Sequence, residues 1–100
     1  MTETYDPDLV VTFLAVAEAG SFSEAARRRG LRQSTVSQQV RRLETETRRR
    51  LFDRDTHNVS LTVDGQALTV LAGEILAAYS RAERYFSNAE LIPKALLADS

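Results

Sequence analysis

The sequence predicts a mainly helical domain with one short β-hairpin and a long C-terminal helix, and three observations predict it. Apolar residues recur at helical spacing in three short segments punctuated by Gly20 and Gly30. Short β-like runs around Leu51 and from Val59 to Leu61 flank a polar turn at 55–58. From Val63 to Asn88 a helical apolar stripe continues through a stretch free of proline.

At 100 residues the chain is one small domain with a modest core. It has no cysteine, which excludes disulfide frameworks and thiolate metal sites. The acidic N-terminus has no secretory or transit character, and no apolar run approaches the roughly 18 residues of a membrane span. A cytoplasmic protein with no membrane partner is the expectation.

The first helix starts at Asp6-Pro7-Asp8, which supplies an N-cap carboxylate, proline at the first helical position and an acid near the positive end of the dipole. Leu9 to Ala19 is apolar nearly all round, the mark of a central core helix, and Gly20 ends it. The second helix opens at Ser21-Phe22-Ser23-Glu24. Ser21 has capping-box spacing to Glu24, and Ser23 is an equally good cap. Ala25 and Ala26 permit close approach of another helix, and Gly30 allows a sharp turn.

The third helix spans Gln33 to Thr47. Val36, Val40 and Leu43 form a narrow buried stripe, while Ser34, Ser37, Gln38, Arg41 and Arg42 occupy the other faces. Ala26, Gly30 and Val36, four and then six residues apart, have helix-turn-helix separations. An ordinary amphipathic surface helix would share the periodicity, so charge has to discriminate. From Arg27 to Arg54 ten arginines face only Glu44, Glu46 and Asp53, a net of +7; elsewhere three cations face eleven acids, a net of −8. Such segregation points to a polyanionic partner, although two oppositely charged solvated faces would also produce it. Arginine makes up twelve of the thirteen basic residues, which suits phosphate and base recognition and would equally follow from a GC-rich genome.

Leu51, Val59 and Leu61 are spaced for two short strands, and a hairpin beside a helix-turn-helix is a wing. His57, at its tip, has no partner for a metal site and reads as solvated, with a phosphate contact as its one specific role. Thr62 caps the last helix, about 26 residues and roughly 39 Å long. Its Leu68, Leu71, Ile75, Ala78, Tyr79, Ala82, Tyr85 and Phe86 approximate a heptad seam suited to dimerisation; a long core helix folded over the bundle is the plainer reading. Pro93 should stop that helix, leaving 89–100 as a linker or tail. The expected organisation is therefore a winged helix-turn-helix over 1–62, a dimerisation helix over 63–88 and a tail.

From about Leu9 to Phe86 the chain resembles the N-terminal DNA-binding domain of LysR-type transcriptional regulators. The resemblance is carried by the run Phe13 to Ser23, by Ala25-Ala26, by Gln33 to Glu44, by Leu51-Phe52 with Arg54, and by Leu61-Thr62 with Gly65. It implies a third helix that enters the major groove, a wing that tracks the adjacent backbone, and pairing of two long helices. The partners implied are double-stranded DNA with an approximately dyad-symmetric operator and a second copy of the chain. The candidate contact residues are Ser23, Arg32, Gln33, Ser34, Thr35, Ser37, Gln38, Arg41 and Arg42, with Arg54, Thr56 and His57 at the wing. Hydroxyls and amides early in the helix suit base edges; Arg41, Arg42 and Arg54 suit phosphates.

Three positions depart from the family pattern. Arg29 stands where a buried leucine is usual, Arg32 replaces the threonine that would cap the third helix, and Thr47-Arg48 replaces leucine-glycine at its end. Family members also carry an effector-sensing domain after the long helix, so a small-molecule effector is expected only on a domain beyond this chain. No cofactor, metal or catalytic constellation is expected, with one histidine, no cysteine and no phosphate-cradling glycine loop. The rival class is a helical dimeric protein-interaction module whose basic face binds an acidic partner.

Overall fold

A computed structural model describes residues 5–54 and 59–99. The elements are α1 (Pro7–Ala19), α2 (Phe22–Arg29), α3 (Gln33–Thr47), β1 (Phe52–Arg54), β2 (Val59–Leu61) and α4 (Val63–Asp99). Thr56 and His57 lie outside the described residues. The chain divides into two units, Met1–Val70 and Leu71–Ser100.

The first unit is a three-helix core with the hairpin beside it. Leu9, Phe13 and Val16 of α1 meet Ala25 and Ala26 of α2, and Val36, Val40 and Leu43 of α3; Leu51 and Phe52 complete the cluster. The small alanine pair lets α2 approach its neighbours closely, which fixes where α3 emerges. The aromatic rings stack in sequence, Phe13 on Phe52 at 5.3 Å and Phe22 on Phe52 at 5.9 Å, so β1 is anchored to α1 and α2 by one side chain.

Local chemistry sets the helix ends. Asp6 Oδ1 accepts from the Asp8 amide at 2.9 Å, with Pro7 opening α1. Gly20 is left-handed at φ 66°, and its N–H donates to Val16 O at 2.8 Å. Ser21 is the cap of α2, its hydroxyl accepting from the Glu24 amide at 3.1 Å, so Ser23 is free of that role. Gly30, at φ 67°, makes the turn, and the following Leu31 N–H returns to Ala26 O at 2.9 Å.

β1 and β2 pair antiparallel, with Phe52 opposite Leu61 and Arg54 opposite Val59. Thr62 joins the hairpin to α4. Its N–H donates to Leu51 O at 3.0 Å, its hydroxyl donates to Arg50 O at 2.6 Å, and the same oxygen accepts from the Gly65 amide at 3.0 Å. A Cβ at position 65 would lie 2.1 Å from Leu51 O, so only glycine fits this first turn of α4.

The end of α4 differs from expectation. The helix runs through Pro93 to Asp99, and residues 89–99 are helix where a tail is expected. Pro93 lacks the N–H of a helix interior and its ring crowds the carbonyl four residues back, so the helical path there carries that cost. In the first unit Leu68 is half-buried against the core. In the second, Leu71, Ile75, Tyr79, Tyr85 and Phe86 are each at least half exposed.

Candidate nucleic-acid interface

α3 presents its outer faces because its inner stripe is fully committed. Val36, Val40 and Leu43 are completely buried, and Gln39 is tethered by the buried Thr12 hydroxyl, which donates to Gln39 Oε1 at 2.5 Å. With that face fixed, Gln33, Ser34, Gln38, Arg41 and Arg42 are exposed and Thr35 and Ser37 half-buried. Exposed Ser23, early in α2, and Arg32 complete the candidate set ahead of the hairpin. The hydroxyls and amides occupy the first two turns and the guanidiniums follow, the order the sequence predicts.

The start of α3 has no side-chain cap. Arg32 holds the N-cap position at φ −76° and ψ 149° with no hydrogen bond from its side chain. The amides of the first turn therefore keep their donors, and the positive end of the helix dipole faces outward, an arrangement that favours an anion.

Several arginines are already engaged with carboxylates. Arg42 Nε donates to Glu46 Oε2 at 3.2 Å, one turn on. On α2, Arg27 and Arg28 both bond Glu24; Arg27 foremost, then Arg28, holds the Glu24 carboxyl below its usual range, and Glu24 in turn raises Arg27. These exposed pairs are weak and can be exchanged for a phosphate with little loss.

Arg54 is held differently. Its Nη2 donates to Glu44 Oε1 at 3.1 Å, and its guanidinium carbon lies 5.4 Å from the Phe22 ring centroid. Glu44 is itself 9% exposed, and its second oxygen accepts from the amides of Leu51 at 2.8 Å and Phe52 at 3.3 Å. One buried carboxylate thus ties the end of α3 to the start of the wing and orients the wing's arginine. The sequence offers Glu44 only as the end of a motif; its partners lie seven to ten residues away, where no periodicity connects them.

The family model for bacterial regulatory helix-turn-helix proteins of the lysR family matches residues 7–66. The chain belongs to the lysR family. Among relatives, the HTH-type transcriptional regulator ShiR of Corynebacterium glutamicum (strain R) is 46% identical over 78 residues, 78% of this chain and 26% of ShiR. The HTH-type transcriptional activator AllS of Salmonella typhimurium is 44% identical over 73 residues, 73% of this chain and 24% of AllS. The chain thus spans about a quarter of the length of these two relatives. Among solved structures, the CbnR_DBD–DNA complex superposes with a TM-score of 0.80 at 30% identity, over 84% of this chain and 97% of that one. The BenM_DBD/catB site 1 DNA complex gives a TM-score of 0.80 at 25% identity, over 83% and 92%. The fold is therefore the winged helix-turn-helix of the lysR family followed by a long helix.

Within that family frame the three departures have visible consequences. Arg29 is half-buried, and its Nε is buried without a hydrogen-bond partner among the described residues, an exception to the rule that buried polar atoms are satisfied. Arg32 leaves α3 uncapped. Arg48 adopts the left-handed conformation itself, at φ 59°, and closes α3 with its N–H on Glu44 O and Thr45 O.

Proposed function

We propose that the chain is a sequence-specific, dimeric DNA-binding domain of a cytoplasmic transcriptional regulator and has no catalytic role. α3 enters the major groove, Gln33, Ser34, Ser37 and Gln38 read base edges, and Arg41 and Arg42 hold phosphates. Arg54 belongs to the wing's approach to the backbone, oriented by Glu44. Pairing through α4 then demands a site with approximate dyad symmetry. The observation that carries this reading is the exposed hydroxyl, amide and guanidinium face of α3, held outward by a stripe with no exposure. The resemblance to two chains solved with DNA supports it.

Selection of bound duplexes from a random pool tests the reading. Gln33→Ala and Ser37→Ala each relax preference at particular operator positions by about 1–3 kcal/mol. Arg42→Ala weakens all sequences alike. An Arg42→Ala variant that altered only sequence preference would overturn the division of roles.

A further inference from the structure

We propose that the arginine cluster at the C-terminal end of α3 is a second phosphate-binding site, which takes the DNA backbone beside the groove that α3 enters. The proposal rests on the DNA-binding reading and adds to it a site that shares only Arg41 with the residues assigned there. Arg41, Glu44, Thr45, Arg48, Arg49 and Arg50 line an open cleft of about 380 Å³. All four arginines are exposed.

Exposed arginines are usually only solvated, and three features set this group apart. The first is charge that local carboxylates neutralise only in part. Glu44 is the one carboxylate in the lining, and its two oxygens are consumed by the Leu51 and Phe52 amides and by Arg54. Arg49 reaches Asp64 at 3.6 Å, a long contact between two exposed groups. Among the described residues Arg41, Arg48 and Arg50 have no carboxylate partner. Like charges gathered around one concavity repel each other until an anion enters.

The second feature is backbone conformation. Arg48 is the one non-glycine residue with positive φ among those described, at a helix end where glycine would sit without strain. A strained conformation that carries a cation into a cationic cleft is a pointer to function. The third is continuity. Positions 34, 37, 38, 41 and 45 follow one another at spacings of three, one, three and four, so they share one face of α3, and Arg41 and Thr45 of that face line the cleft with Arg48 just past the helix end. The base-reading face runs unbroken into the cleft, and Arg41 belongs to both. That continuity favours a duplex over an acidic protein, and the guanidinium fork matches phosphate oxygens.

The test measures binding of the full chain to a labelled random-sequence duplex by fluorescence anisotropy across a salt series. Arg48→Gly and Arg50→Gln should each weaken binding and flatten the slope of log affinity against log salt by about 0.9 per chain. Sequence preference in the selected pool should not change. Arg48→Gly relieves the left-handed strain, so its thermal midpoint should not fall, and a loss of affinity is then no folding artefact. Unchanged slopes in both variants, with the wild type still binding duplex, overturn this proposal and leave the DNA-binding reading standing. Failure of the wild type to bind any duplex overturns both. Arginine-dependent binding of poly-glutamate, with duplex slopes unchanged, would assign the cleft to an acidic protein and overturn the proposal as well.

Discussion

Glu44 satisfies two backbone amides and a guanidinium with one carboxylate, and its burial makes those bonds matter. Glu44→Ala strands two buried N–H groups and one half-buried cation, so unfolding in denaturant should show a loss of about 2–4 kcal/mol. A loss below about 0.5 kcal/mol would mean the wing does not depend on this contact. Arg48 carries the opposite sign. A left-handed conformation costs an L-residue roughly 1–2 kcal/mol, part of which glycine returns through its greater freedom when unfolded. Arg48→Gly should therefore raise stability by about 0.5–1 kcal/mol, readable as a higher midpoint at unchanged denaturant slope. At this scale the sequence is legible wherever the cause is local. Asp6, Pro7, Gly20 and Gly30 act on their own turns and are readable from order alone. The Ser21 cap is resolved only by geometry, since Ser23 satisfies the same pattern. Glu44 and the Thr12–Gln39 bond join residues brought together by tertiary packing, and no spacing announces them.

At the scale of elements, α3 and the hairpin follow from periodicity, while α4 follows only in part. Its start is fixed by Thr62 and by the close approach at Gly65, both legible as a cap and a glycine. Its continuation past Pro93 is not, because one proline is a local signal and helix persistence depends on the run on both sides. Leu71 is 54% exposed, Ile75 50% and Tyr79 54%, an apolar row along one helix that water does not favour. Ile75, Ala78, Tyr79 and Ala82 line a shallow groove of about 310 Å³. Pairing through the expected heptad seam would cover both, and Leu68 packs against the core of its own chain instead. Leu71→Asp combined with Ile75→Asp should convert dimers to monomers in sedimentation and weaken operator binding sharply. An unchanged dimer would reject the seam.

Across the whole molecule, charge is the property that organises function. The net of −1 hides a +7 block that spans the end of α2, all of α3 and the start of the wing. The fold gathers the block around α3 and pairs some of it weakly with Glu24 and Glu46, so a phosphate can replace those partners. If each protomer engages about four phosphates, log affinity of the dimer for duplex DNA should fall with log salt at a slope near −7. The arginine cleft would add further to that steepness. The measurement that bears most directly on the account is this slope, taken on a duplex recovered by selection and on a scrambled duplex of equal length. A steep, similar slope is expected on both, with tighter binding to the selected sequence at every salt concentration. A salt-independent interaction, or equal affinity for the two duplexes, would contradict it.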